Sequence, residues 1–358
     1  MAKKTKRVTL EMIAAKAGVS IGTVDRALNN RGGINPDTRK RVIDIADDLE
    51  YQPNKLAGAL GRKKKLRIGV AYPEFDWDFN SAIDSGVTDA ALELMDFGLT
   101  VEKIRYRLQS PEVAYERLST INYSQYDGFA FNTVGRALEG LINNIVSAGK
   151  PVVTFNTDFP NSSRLFYIGS DPRQSGMMGA EMLAMLIGYS GKVAVLGDFT
   201  RISPSIERFS GFCEFIQSFY PDIHIHPCAQ AYSDSEAMAR RLTDLINLIP
   251  DTAGVFCTGY TSTIGGLDAL KILNRTNIHL VGYDVTPKTA EALRCKKLDA
   301  LIFQDPYKQG YSAVKMLSRH LLEGYVPEKP CMYIENRIVL KSNLDMYTGE
   351  VSQMQTFL

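Results

Sequence analysis

Val8-Thr-Leu-Glu-Met-Ile-Ala-Ala-Lys-Ala-Gly-Val-Ser20, running directly into Ile21-Gly-Thr-Val-Asp-Arg-Ala-Leu-Asn29, decides how the first part of the chain folds. Thr9 stands at a helix N-cap with Glu11 in the first turn, and Leu10, Ile13, Ala14 and Ala17 recur at helical spacing. Gly18 supplies a backbone that tolerates positive φ, and Ser20 caps a second helix over 21–29. Two short helices joined by a tight glycine turn predict a helix-turn-helix. Asn35-Pro36 announces a third helix, an N-cap followed by proline, with Val42, Ile45, Ala46 and Leu49 on its apolar face.

Charge separates this segment from the rest. Residues 1–65 carry 15 Lys+Arg against 7 Asp+Glu, whereas the whole chain of 358 residues carries 41 against 40. A basic head on an acidic body is the division expected when a nucleic-acid-binding module is joined to another domain. In a helix-turn-helix the second helix enters the major groove with its N-terminal part foremost, where Arg26 can bond guanine O6 and N7 together. The bland alternative is a three-helix bundle whose charges are merely solvated.

The quoted stretch, with Thr38-Arg-Lys-Arg-Val42 and Leu49-Glu-Tyr-Gln-Pro-Asn54, closely resembles the headpiece of lactose-repressor-like (LacI/GalR) transcription regulators. The resemblance implies base reading by Ile21, Gly22, Arg26 and Asn29, with Ser20, Thr23 and Asp25 on the same DNA-facing helix. Two positions depart from the family. Asp25 stands where Ser is usual, and Gly22 where a side chain commonly reads a base. Asp25 can accept from cytosine N4 or hold Arg26 in place, so the operator sequence stays open. After Pro53, Asn54-Lys-Leu-Ala-Gly-Ala-Leu-Gly-Arg62 resembles the family's hinge helix, placing Asn54 and Lys55 at the DNA and Leu60 as a minor-groove wedge. A plain flexible linker is the alternative, since Gly58 and Gly61 each weaken an isolated helix by roughly 1 kcal/mol.

From residue 66 short apolar runs alternate with amphipathic stretches. Strands are expected at 67–72, 99–104, 127–132, 151–155, 165–168, 192–196, 223–225, 254–257, 278–281 and 300–303. That order predicts an α/β body of two doubly wound parallel sheets. No G-x-G-x-x-G or G-x-x-x-x-G-K-[ST] follows a strand, no G-x-S-x-G occurs, and the four histidines are scattered. No cofactor, no metal and no enzyme chemistry is expected. The five cysteines are widely spaced without a C-x-x-C pair, which fits a reducing cytoplasm. No stretch approaches the roughly 18 apolar residues of a membrane span, so no membrane partner is expected.

Ligands of doubly wound sheets sit beyond the C-terminal strand ends. There this sequence places Phe75-Asp-Trp-Asp-Phe79, Asn156-Thr-Asp158, Tyr232, Thr258-Gly-Tyr260, Asp284 and Gln304-Asp305. Aromatic faces beside carboxylates and amides suit a sugar, whose C–H faces stack while its hydroxyls need donors and acceptors. The same region resembles the type I periplasmic-binding-protein-like sensor domain of the lactose-repressor family, through Ile68-Gly-Val70, Tyr167-Ile-Gly-Ser-Asp171 with Gly176, Arg208-Phe-Ser-Gly-Phe212, Gly265, Val281-Gly-Tyr-Asp284 and Gln304-Asp-Pro with Gln309-Gly310. The resemblance implies effector contacts at Phe79, Asn156, Tyr167, Arg208, Tyr232, Asp284 and Gln304. A further contact falls near Thr258 or Gly259, where the family's usual Asn or Asp is lost or replaced. Asp78, Asp158 and Asp284 would oppose an anion beside Arg208, which favours a neutral monosaccharide or polyol over a sugar acid.

The expected organisation is a helix-turn-helix headpiece (1–52), a hinge helix and linker (53–65), a two-lobed effector-binding and dimerisation domain (66–340) and a C-terminal tail (341–358). Together these predict a cytoplasmic homodimeric regulator, a repressor of carbohydrate-utilisation genes in most such proteins, bound to a palindromic double-stranded operator under sugar control. A sugar-transport receptor and a sugar-modifying enzyme are the competing classes. The headpiece counts against the first, and the lack of a placed base or nucleophile against the second.

Overall fold

The computed structural model describes residues 10–28, 32–49, 65–74, 78–95, 97–107, 111–133, 137–199, 203–230 and 234–348, and divides into two compact units, 1–62 and 63–358. In the first unit, α1 (Leu10–Ala17), α2 (Ile21–Leu28) and α3 (Pro36–Asp48) enclose one small core. It is built from Ile13, Ala14, Ala17, Val24, Ala27, Val42 and Ala46, the positions that helical spacing selects. Gly18 takes φ +66°, and the Val19 N–H bonds the Ala14 carbonyl at 3.1 Å, closing α1 as a left-handed glycine allows. Ser20 Oγ accepts from the Thr23 N–H at 3.2 Å, and Asn35 Oδ1 from the Asp37 N–H at 2.8 Å, so both expected caps form. Thr9 and the expected hinge segment 53–64 lie outside the described residues.

The second unit has two lobes, each built on a six-stranded sheet. The first sheet runs β11 (Cys331–Ile334), β5 (Tyr167–Ser170), β4 (Val152–Phe155), β3 (Gly128–Phe131), β1 (Leu66–Glu74), β2 (Leu99–Arg107), and is parallel throughout. The second runs β12 (Arg337–Val339), β10 (Ala300–Phe303), β9 (His279–Tyr283), β8 (Thr252–Cys257), β6 (Gly191–Gly197), β7 (Ile223–Ala229), and only β12 is antiparallel. Helices cover both faces of each. On the first sheet, Ile68, Val70 and Tyr72 meet α4 (Asp78–Met95) and α12 (Pro306–Glu323). Ala71, Phe129 and Phe131 turn the other way, toward α5 (Pro111–Ser119) and α6 (Ala137–Ser147). The alternation is that of strands buried on both faces. In the second lobe α7 (Pro172–Leu186) and α8 (Ser203–Phe219) lie on one face, with α9 (Ser235–Leu248), α10 (Tyr260–Ile272) and α11 (Pro287–Arg294) on the other.

The chain crosses between lobes after β5, after β10 and after β11. The helix arriving by each of the first two crossovers packs backbone to backbone on a helix of its new lobe. A Cβ on Gly86 of α4 would lie 2.1 Å from the Tyr307 carbonyl oxygen of α12, and one on Gly310 would lie 2.5 Å from that of Ile83. The second lobe repeats this reciprocal contact: a Cβ on Gly176 of α7 would lie 2.1 Å from the Arg208 oxygen, and one on Gly211 of α8 2.1 Å from the Arg173 oxygen. Only glycine fits such contacts.

Three expectations need correction. β5 lies two residues later than expected, at Tyr167–Ser170. β11 and β12 were not expected as strands. The segment read as a tail from residue 341 is packed as far as Thr348, for Leu344 is 1% exposed and joins the second lobe's core with Tyr347 beside it. Burying such a leucine contributes roughly 1.5–3 kcal/mol, which holds this segment to the lobe.

Candidate functional site

Arg208 is the centre of a polar cluster at the strand ends of the second lobe. The glycine contacts bring the α8 backbone against α7, and the Arg208 side chain is buried there. Its Nη1 donates to the Thr258 carbonyl at 2.7 Å and its Nη2 to Gln304 Oε1 at 2.5 Å. The guanidinium also lies over the Tyr283 ring, 4.1 Å from its centroid. Gln304 Nε2 donates in turn to Asp284 Oδ1 at 2.8 Å, and Ser170 Oγ donates to Gln304 Oε1 at 3.3 Å. Burial pushes the Asp284 carboxyl up to about 6, against the opposing pull of the Arg208 charge and the Gln304 hydrogen bond. Arg208 Nε has no hydrogen-bond partner in the structure. A guanidinium, an amide and a carboxylate thus form one bonded chain with a donor to spare, a set suited to adjacent hydroxyls.

The other expected contacts divide. Asn156 sits at φ +61°, donates Nδ2–H to Asn132 Oδ1 at 3.2 Å, and its carbonyl lies 3.1 Å from the Tyr167 hydroxyl. That hydroxyl is also 3.1 Å from the Ser170 carbonyl, so buried Tyr167 braces the β4 and β5 ends. Asp158 is not the open carboxylate that the sequence suggested. It accepts from Arg164 Nη2 at 2.6 Å, from Thr154 Oγ1 at 2.9 Å and from the Phe159 N–H at 2.7 Å, so its charge is already paired. Thr258 contributes its carbonyl, while its hydroxyl fills the space a Cβ on Gly197 would need, 1.8 Å away. Asn156, Asp284 and Asp305, at strand ends of both lobes, hold left-handed φ of 61°, 67° and 55°. Among residues other than glycine, Asn and Asp are those most often found in that region, and such strain clusters at ligand sites.

Beside the cluster, and sharing Asp284 with it, a cavity of about 510 Å³ opens between the lobes. Phe79, Ala82, Pro306 and Tyr307 wall it from the first lobe; Asp284, Val285, Thr286, Pro287, Ala290, Arg294, Phe303, Tyr347 and Thr348 wall it from the second. Of these, Phe79 and Asp284 were named from sequence as contacts, and Pro306 only as part of a motif. Phe303 and Tyr307 flank the Gln304-Asp-Pro306 motif, which was the available signal; Tyr347 and Thr348 had none, lying in the presumed tail. No group of three or more His, Cys, Asp or Glu among the described residues could hold a metal, and no helix there is long and apolar enough to cross a membrane.

On the headpiece, Val24 and Ala27 turn α2 inward, while Ile21, Gly22 and Arg26 are exposed and Thr23 and Asp25 half-buried. Ser20 begins this outer face, its hydroxyl 2.9 Å from that of Thr23. Asn29, Asn54, Lys55, Leu60 and Tyr232 lie outside the described residues, as does the side chain of Asp78.

A helix-turn-helix unit followed by a two-lobed body with polar groups gathered at its strand ends is the architecture of a DNA-binding transcription regulator. Residues 9–54 match the model for bacterial regulatory proteins of the lacI family, and residues 68–324 match the periplasmic binding protein domain. The chain belongs to the lacI family of transcription regulators, whose members are not enzymes, and carries a periplasmic-binding-protein-like domain. It is 26% identical over 348 residues to the ribose operon repressor of Bacillus subtilis (strain 168), covering 94% of this chain and 99% of that protein. It is also 26% identical over 338 residues to the HTH-type transcriptional regulator pepR1 of Lactobacillus delbrueckii subsp. lactis, covering 90% and 93%. Among solved structures it resembles a glucose-galactose binding protein from Geobacillus stearothermophilus, with TM-score 0.73 and 24% identity over 78% of this chain and 99% of that one.

Proposed function

We propose that this regulator represses carbohydrate-utilisation genes from the cytoplasm, holding a palindromic operator as a homodimer whose affinity is set by a neutral sugar or polyol seated against Arg208, Asp284 and Gln304. The observation that carries this reading is the double position of Gln304. It belongs to the polar cluster through Arg208 and Asp284, and it stands at the β10–α12 crossover, bonded to Ser170 at the β5–α7 crossover. A ligand that rearranges Gln304 therefore acts on two of the segments that set the orientation of the lobes. Differential contact in two lobe arrangements is what allosteric control requires, and the coupling between sugar and DNA must be reciprocal. The ribose operon repressor among the relatives supports a sugar-linked role. The pairing of Asp158 with Arg164 removes one of the three carboxylates that disfavour an anionic ligand; Asp284 remains beside the cluster, and neutrality rests chiefly on it.

The test is selection of duplexes from a random pool by the full-length protein, followed by titration of the selected site at two salt concentrations with and without sugars. One palindrome bound with a steep salt slope, and a sugar that moves its Kd by roughly 5–150-fold, is the expected result. Equal binding to random DNA would reject the specific-operator reading.

A further inference from the structure

We infer that the effector is a two-ring glycoside, a disaccharide, with one ring at the Arg208–Gln304–Asp284 cluster and the second in the aromatic cavity between the lobes. This rests on the sugar-responsive reading above and extends it to ligand size. Three observations point the same way. The cavity holds about 510 Å³. A hexose displaces on the order of six waters, or about 180 Å³ at roughly 30 Å³ per water, so the cavity has room for a whole ring in addition to one at the cluster.

The walls are chemically those of a sugar subsite rather than of a void. Phe79 and Tyr307 from the first lobe and Phe303 and Tyr347 from the second line it, an aromatic wall suited to the C–H faces of a pyranose. Thr348 adds a hydroxyl, whereas that of Thr286 is taken up in capping α11. Thr348 Oγ1 is buried and has no hydrogen-bond partner in the structure. A buried hydroxyl without a partner is costly, and one on the wall of a polar cavity is satisfied by a ligand hydroxyl or by water.

The cavity is also joined to the cluster at one point. Asp284 lines it and accepts from Gln304, whereas Arg208 and Gln304 themselves are not on its wall. A ligand confined to the cluster would leave the cavity unused, and one confined to the cavity would miss Arg208. A ligand bridging the two passes Asp284, which then serves hydroxyls on both sides of a glycosidic linkage. Because the walls come from both lobes, the second ring would also hold the lobes at a fixed separation.

The experiment measures binding of the full-length protein, by calorimetry, to matched pairs: glucose with maltose and cellobiose, galactose with lactose and melibiose, xylose with xylobiose. At least one disaccharide should bind tenfold or more tighter than its parent monosaccharide. Ala82→Phe from the first lobe and Thr348→Phe from the second should each bring that ratio to about one; using two variants guards against a folding defect in either. A monosaccharide that binds as tightly as every disaccharide overturns the two-ring inference and leaves the sugar-responsive reading standing. A preference that survives both cavity-filling variants overturns it too. Binding of no sugar in either set overturns the sugar reading, and this inference with it.

Discussion

Asn336 donates its side-chain amide to the backbone carbonyl of Asp171 at 3.0 Å, joining the third crossover between the lobes to the first. With the Ser170–Gln304 bond, all three crossovers are fastened to one another by buried polar groups. Buried hydrogen bonds of this kind specify geometry because each unmade partner is costly. Asn336→Ala should therefore lower the stability of the body by about 0.5–1.5 kcal/mol, the net worth of one hydrogen bond, since the Asp171 carbonyl keeps the Ser175 N–H at 3.1 Å. It should also change sugar affinity although Asn336 is not on the cavity wall. Chemical denaturation and sugar titration of the same variant check both. Sugar affinity identical to wild type would show that the crossovers move independently of the site.

Arg208 makes two hydrogen bonds and a ring contact, and its geometry cannot be reproduced by an ammonium. Arg208→Lys should lose the simultaneous hold on Thr258 and Gln304, because lysine lacks the rigid fork. Arg208→Ala should abolish the sugar response of operator binding while the headpiece keeps its affinity for DNA. Gel-shift titration with and without sugar reads the two effects apart. A normal response in Arg208→Ala would mean that the cluster is not the effector site.

The headpiece was legible almost residue by residue, because its caps, its glycine turn and its apolar spacing are local signals that Ser20, Asn35 and Gly18 obey. β1 to β10 were legible from their apolar residues, although β5 was placed two residues early and β7 is only partly buried. β11 and β12 were not, being edge strands of four and three residues whose apolar runs are short and only partly buried, with Tyr333 on β11 57% exposed. At the site, Asp284 and Gln304 could be placed from their positions at strand ends, and Arg208, inside α8, only from the family resemblance. Their bonding could not, since Arg208 and Gln304 meet across 96 positions of chain. Asp158 misled for a different reason. Its neutralising partner Arg164 is close in sequence, but nothing local marks the pair as buried.

Asp284 makes the body's stability depend on pH in a defined direction. Burial raises its carboxyl from 3.8 to about 6, so the folded chain takes up a proton before the unfolded chain does. The charged form, dominant above the folded value, is the destabilised one. Relative to Asp284→Asn, wild-type stability should rise as pH falls through about 6 and level off below about 3.8. At 1.36 kcal/mol per unit the whole span is on the order of 3 kcal/mol. Paired denaturation curves of the two proteins check the sign. Sugar hydroxyls that donate to the ionised carboxylate should make binding tighten as pH rises through the same window; a pH-independent difference between wild type and Asp284→Asn would place the titrating group elsewhere.

On the headpiece, two substitutions should separate base reading from charge. Arg26 is exposed on the outer face of α2, and if it bonds guanine bidentately, Arg26→Ala should cost about 1–3 kcal/mol on the selected operator and relax the preference at a single base pair of each half-site. A phosphate contact would behave differently: its loss weakens all sequences alike and lowers the salt slope by about one. Leu60→Ala removes no charge, so as a wedge it should reduce specific affinity without changing the salt slope and leave sugar binding intact. Fluorescence anisotropy on operator and scrambled duplexes at several salt concentrations distinguishes the three patterns. Operator affinity unchanged in Leu60→Ala would remove the minor-groove wedge from the account, and uniform weakening by Arg26→Ala would assign that arginine to the backbone rather than to a base.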